Sequence, residues 1–103
     1  NRDALRENMR YFLSAIMPVC EEYGVNMCVH PDDPPFQVLG LPRIVTNEND
    51  IEWFLNAVDN PHNGLTFCAG SLSAGEHNDT REMKIKVIIR DIPSTDVCWL
   101  LHK

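Results

Sequence analysis

The stretch VNMCVHPDDPP, residues 25–35, decides the fold, because a short apolar run ends there in a histidine and a proline-rich loop. A second stretch, LTFCAGS at residues 65–71, repeats the arrangement with a cysteine. Short apolar runs bounded by turn residues are typical of buried strands. Each stretch therefore predicts a strand whose carboxyl end carries a side chain able to bind a metal, His30 in the first and Cys68 in the second.

Two helical patterns alternate with these strands. Apolar residues recur at three- and four-residue spacing from Leu5 to Tyr23 and again from Asn49 to Val58. The order helix, strand, helix, strand predicts parallel strands joined by right-handed crossovers. A closed (β/α)8 barrel needs about 250 residues and carries its chemistry at the carboxyl ends of its strands. We therefore expect this 103-residue chain to be an α/β slice of such a TIM barrel, about two βα units cut from something longer.

Local signals refine these boundaries. Pro18 lies inside the first helical pattern and predicts a kink or a break near Met17, because proline removes a backbone hydrogen bond. Gly24 is a plausible end of this helix. Thr46 or Asn47 is expected to cap the second helix. The small, polar segment Ala69–Asp79 predicts a loop in which backbone can approach a ligand.

Composition excludes several classes of function. The net charge of −6 argues against nucleic-acid binding, which needs a basic face. No apolar run approaches the length of about 18 residues that a membrane span requires, and the charged start of the chain lacks the apolar core of a signal peptide. The four cysteines form no C-x-x-C pair. Scattered thiols without secretory signals fit a reducing, cytoplasmic location, and Cys20 and Cys28 are best interpreted as small buried apolar residues.

An imidazole and a thiolate at two neighbouring strand ends would be half of a transition-metal site. A mixed nitrogen, sulfur and oxygen ligand set favours manganese, iron, cobalt or zinc over magnesium. The alternative is that His30 and Cys68 are a hydrogen-bonded histidine and a buried thiol in the core. His62 and His77 lie in polar loops and are expected to be solvated.

Four motifs in this order resemble the mannonate dehydratase family. They are HPDDPP at residues 30–35, GLPRIV at 40–45, NGLTFCAGS at 63–71 and, upstream, RENMRYFLSAIMPVCEEYGV at 6–25 with its in-helix proline. The resemblance covers about residues 5–83, which we interpret as a slice of a catalytic domain. Residues 84–103 do not resemble the family and are interpreted as a divergent C-terminal tail.

The resemblance implies a xylose-isomerase-like TIM barrel and a lyase that dehydrates D-mannonate to 2-keto-3-deoxy-D-gluconate in glucuronate and other hexuronate catabolism. It also implies a divalent metal, manganese first and iron as the alternative. His30 and Cys68 match two of the family's metal ligands, while the other ligands and the acid and base residues belong to later strands. Two rival hypotheses remain: a non-catalytic truncated remnant, and a related metal-dependent sugar isomerase.

Four further residues are candidates for binding the sugar-acid substrate. Asp32 and Asp33 are expected to bind substrate hydroxyls or to orient His30; their alternative role is to cap the turn after Pro31. Arg43 suits a bidentate contact with the substrate carboxylate, or else a surface ion pair. Ser71 is a candidate hydrogen-bond donor to the substrate, with a turn role as the alternative.

The tail carries a β-prone stretch, Ile85, Val87, Ile88, Ile89 and Ile92, followed by the apolar run 97–101. We expect the β-prone stretch to pair beside the strand at Leu65. A chain this short buries a small fraction of its surface, and exposed apolar patches promote association. Self-association is therefore expected.

Overall fold

The structure is a computed structural model, and it describes residues 1–89 and 97–100, the side chains only as far as residue 84. Helices and strands alternate along the described chain. The elements are α1 (Arg2–Tyr23), β1 (Met27–Val29), α2 (Glu48–Ala57), β2 (Asn63–Cys68), α3 (Ala69–Ser73), α4 (Thr80–Ile89) and β3 (Val97–Leu100). No helix among the described residues is long and apolar enough to cross a membrane.

The strands form one parallel sheet in the order β1-β2-β3. Val29 of β1 pairs with Leu65 of β2, and Cys68 at the end of β2 pairs with Leu100 of β3. Five of the six residues of β2 are buried, as is typical of a parallel strand covered on both faces. The predicted α/β alternation with parallel strands is confirmed.

The helix boundaries follow local chemistry. Asn1 caps α1 through its side chain, and Gly24 ends α1 in the left-handed conformation, φ 64°, with its N–H bonded to the carbonyl of Cys20. Asn47 caps α2 by accepting the N–H of Asp50. The predicted ends at Gly24 and Asn47 are confirmed, and α1 runs as a single helix through Pro18.

Two predictions about local structure are wrong. The segment expected to be a loop, Ala69–Asp79, begins with the short helix α3. In the tail, Ile85 and Val87–Ile89 belong to α4 and form no strand. A crossover between parallel strands is usually helical, and the carboxylate of Asp79 starts α4 by accepting the N–H groups of Arg81 and Glu82. The strand that pairs beside Leu65 is Val97–Leu100; Ile92 and residue 101 lie outside the described residues.

The core has two parts, both on the side of the sheet that carries α1 and α2. The first contains Ile44, Val45, Ile51, Leu65, Phe67, Leu72 and Met83. The second contains Leu13, Met17 and Cys20 of α1 together with Phe54 of α2. Val29 packs against both parts. Because side chains alternate along a strand, the neighbours of Val29 and Leu65 face the opposite side of the sheet.

Candidate metal centre

His30 and Cys68 meet at the carboxyl end of two adjacent parallel strands. His30 follows Val29, the last residue of β1, and Cys68 is the last residue of β2. Val29 is in register with Leu65, so alternation places His30, Thr66 and Cys68 on one face. His30 lies near enough to Cys68 to help lower the pKa of its thiol. The expected placement of the two residues at neighbouring strand ends is confirmed, and their role as metal ligands stays a prediction.

Cys68 is fully buried and is the N-cap of α3. Its Sγ lies 3.2 Å from the hydroxyl oxygen of Ser71 and accepts the Ser71 N–H at 3.4 Å. Burial raises the pKa of the Cys68 thiol, but the two hydrogen bonds with Ser71 and the proximity of His30 outweigh it, so the pKa is lowered overall. A lowered pKa increases the share of thiolate, which is the form that binds metals.

The imidazole of His30 is exposed and is oriented by its own loop. Its Nδ1 lies 2.7 Å from the carbonyl oxygen of Pro31. A carbonyl oxygen can only accept, so Nδ1 carries the hydrogen, and Nε2 of the neutral ring keeps its lone pair. Histidines that bind metals are commonly held in this way, with the second ring nitrogen bonded to a carbonyl or a carboxylate.

Three of the four predicted substrate residues have protein partners. Asp32 accepts the N–H groups of Ile44 and Val45. Arg43 approaches Asp32 with an Nη1–Oδ1 distance of 3.6 Å. Ser71 is buried, and its hydroxyl is hydrogen-bonded to the Sγ of Cys68. Asp33 is exposed. Their contacts with substrate stay predictions.

Sequence reasoning missed a buried ionic cluster at the same end of the sheet. Asp50 is 1% exposed and binds the guanidinium groups of Arg2 and Arg6. It also accepts the N–H and the hydroxyl of Thr46 at 3.0 and 2.6 Å. The one signal in the sequence was the acidic residue three positions after the cap Asn47, which is the spacing of a capping box. The arginines, more than forty residues away in sequence, gave no such signal.

The donor set fits a divalent transition metal. A thiol with a lowered pKa and an imidazole held with Nε2 deprotonated are ligands that suit manganese, iron, cobalt or zinc better than magnesium or calcium. Over residues 1–89 and 97–100, no group of three His, Cys, Asp or Glu residues could hold a metal ion. His30 and Cys68 could therefore supply at most two of the ligands of a metal site.

Comparison with known proteins gives one consistent result. The family model for D-mannonate dehydratase (UxuA) matches residues 1–96. Mannonate dehydratase of Thermotoga maritima is 53% identical over 83 residues, which are 81% of this chain and 23% of that protein. The enzyme of Lactococcus lactis subsp. cremoris is 49% identical over 87 residues, 84% of this chain and 24% of the relative.

A solved structure agrees with these matches. The crystal structure of mannonate dehydratase from Streptococcus suis serotype 2 superposes with a TM-score of 0.84 at 44% identity, covering 88% of this chain and 26% of that one. The chain thus spans about a quarter of the length of the relatives that it matches.

Proposed function

This chain belongs to the D-mannonate dehydratase (UxuA) family, and we propose that it supplies two metal ligands, His30 and Cys68, to an enzyme that dehydrates D-mannonate to 2-keto-3-deoxy-D-gluconate. The metal is a divalent ion, manganese first and iron as the alternative. The enzyme is a carbon–oxygen lyase of hexuronate catabolism. Its substrate is a small sugar acid.

The observation that carries this proposal is the placement of His30 and Cys68 at the carboxyl ends of two adjacent, paired strands. In (β/α)8 barrels the catalytic groups come from the carboxyl ends of different strands. We therefore infer that residues 1–83 are a slice of a xylose-isomerase-like TIM barrel and that the remaining ligands, acid and base come from other strands of that barrel. Helix α4 and strand β3 continue the same alternation into residues 84–103.

The reaction removes the proton next to a carboxylate and expels the neighbouring hydroxyl group. A divalent cation bound at this site would stabilise the negative charge that develops on the substrate. The chain's own residues prepare the site. The two hydrogen bonds with Ser71 help lower the pKa of the Cys68 thiol, and the Pro31 carbonyl keeps the lone pair of His30 on Nε2.

A chimaeric enzyme tests the proposal. The matching 83-residue segment of the Thermotoga maritima enzyme is replaced by the aligned residues of this chain, and manganese content and formation of the keto-deoxy acid are measured. His30→Ala and Cys68→Ser should each abolish turnover and lower metal content steeply, because each removes a ligand. The matched controls His62→Ala, at the opposite end of β2, and Cys28→Ser, two residues before His30, should keep both.

Full metal occupancy with unchanged turnover in the His30→Ala or Cys68→Ser chimaera would refute the ligand assignment. A chimaera that acts on aldoses in preference to aldonates would instead favour the sugar isomerase.

A further inference from the structure

The peptide group between Pro31 and Asp32 connects His30 to the buried core. Its C=O accepts the hydrogen of His30 Nδ1 at 2.7 Å, and its N–H donates to the carbonyl of Val45 at 2.9 Å. A peptide group is planar, so the direction of its N–H fixes the direction of its C=O. The orientation of the His30 ring therefore depends on how firmly this one peptide group is held.

The carboxylate of Asp32 holds the Pro31–Asp32 peptide group in place. Its Oδ2 accepts two backbone N–H groups, from Ile44 at 3.0 Å and from Val45 at 2.9 Å. Together with the bond from Asp32 N–H to Val45, these contacts join the start of the proline-rich loop to residues 44–45. Hydrogen bonds from backbone N–H groups to an ionised carboxylate are stronger than neutral ones.

The partner segment is itself fixed on both sides. Ile44 and Val45 are 6% and 2% exposed and belong to the first part of the core. Before them, the carbonyl of Arg43 accepts from Arg2 Nε at 3.1 Å; after them, Thr46 is bound to Asp50. Asp32 thus joins a loop that carries His30 to a segment that has little freedom to move.

We propose that Asp32 is the positioning residue of His30: it acts through the Pro31–Asp32 peptide group to keep Nδ1 protonated and Nε2 available for a metal ion. This inference rests on the proposed metal-ligand role of His30. In this role the Asp32 carboxylate binds the protein itself, since Oδ2 accepts two backbone N–H groups and Oδ1 faces Arg43. Partners of this kind commonly change metal affinity by about 10- to 100-fold.

The test measures which ring nitrogen of His30 carries the hydrogen, by long-range ¹H–¹⁵N correlation on the full chain labelled in histidine. The measurement is made at about pH 9, where an ordinary imidazole is neutral. The unsubstituted chain and Asp32→Asn should both show the Nδ1–H tautomer, because the asparagine carbonyl can still accept the two N–H groups. Asp32→Ala should show a mixture of tautomers and bind Co²⁺ about 10- to 100-fold more weakly.

Two controls separate a local effect from a general one. The ring signals of His62, whose Nδ1 faces Asn26 at 2.9 Å, should stay the same in every variant. Asp59→Ala, which removes an exposed carboxylate at the other end of the sheet, should leave the His30 tautomer unchanged.

An Nε2–H tautomer in the unsubstituted chain or in Asp32→Asn would overturn the proposal, and so would an unchanged tautomer in a folded Asp32→Ala. If Asp32→Ala does not fold, the other two proteins still decide the matter. The proposed function fails separately: Co²⁺ binding, followed by the thiolate charge-transfer band, would then be the same in His30→Ala as in the unsubstituted chain, whatever the tautomer result.

Discussion

Replacing Asp50 by alanine should destabilise this chain more than any other single loss of a carboxylate among the described residues. Asp50 is a buried acceptor for two arginines of α1 and for the N–H and hydroxyl of Thr46. Its removal leaves Arg6 facing an empty site, and Arg6 already has one buried nitrogen, Nε, without a hydrogen-bond partner. The only other contact described for its guanidinium is the ring of Trp53, 4.8 Å away.

The magnitude follows from burial. Breaking a buried ion pair by removing one partner costs about 3–5 kcal/mol. The Arg2 and Arg6 side chains are 40% and 21% exposed, so water can compensate them in part and the lower end, about 3 kcal/mol, applies. A domain of this size has about 5–15 kcal/mol of stability. Asp50→Asn keeps the shape and an acceptor for Thr46 and should cost less, about 2 kcal/mol.

The assay is urea unfolding followed by tryptophan fluorescence and circular dichroism. Glu7→Ala is the matched control, because it removes an exposed carboxylate paired with Arg10 at 2.6 Å and should cause no measurable change. An Asp50→Ala midpoint within error of the unsubstituted chain would refute the reasoning, since it would mean that the cluster contributes nothing net.

The Asp50 cluster also makes the stability of the folded chain depend on pH. Burial raises the pKa of Asp50, but the hydrogen bonds from Thr46 and Arg2 outweigh it, so the folded pKa lies below the ordinary value. A lowered folded pKa gives stability that is fully present above the unfolded pKa, about 3.9, and is lost as pH falls through the folded pKa. The stability gap between the unsubstituted chain and Asp50→Asn should therefore be constant near neutral pH and shrink below about pH 4.

Three further outcomes are expected. Gly24→Ala should cost about 1 kcal/mol in the same urea assay, because Gly24 has φ 64° and no atom within 4 Å of an added Cβ, so the cost is backbone strain alone; an unchanged midpoint would contradict this. Deleting residues 84–103 should lower solubility and melting temperature, because it removes β3 from the edge of β2; an equally soluble and stable monomer would argue against it. The purified chain alone should not dehydrate D-mannonate, because the described residues bring no third ligand to His30 and Cys68; metal-dependent formation of the keto-deoxy acid by the chain free of host enzyme would refute this.

Features set by neighbouring residues could be predicted from the sequence. The three- and four-residue apolar spacing predicted α1 and α2. Gly24 predicted the end of α1, and Asn47 predicted the start of α2. The placement of His30 and Cys68 at neighbouring strand ends also followed, because parallel strands bring their carboxyl ends to one edge whatever the intervening sequence. The break that Pro18 allowed near Met17 does not occur, since a helix that buries Met17 and Cys20 on either side of the proline tolerates one lost hydrogen bond; the alternative, a kink, stays a prediction.

Features set by distant contacts could not be predicted. The run of isoleucine and valine at 85–89 has β propensity, yet it is helical because it lies in the crossover between two parallel strands. The Asp50 cluster likewise joins residues more than forty positions apart in sequence, so no local pattern marks its two arginines. Propensity describes a residue's own preference, and in both cases tertiary connection decided the outcome.

The direction of α1 explains why the most buried charge and the candidate metal ligands share one end of the molecule. Helix α1 runs into β1 through Gly24, so its first turns lie beside the carboxyl ends of the strands. Arg2 there binds both Asp50 and the carbonyl of Arg43, and the segment that follows Arg43 holds Asp32 and, through it, His30. A change in the Asp50 cluster should therefore reach His30 through backbone hydrogen bonds.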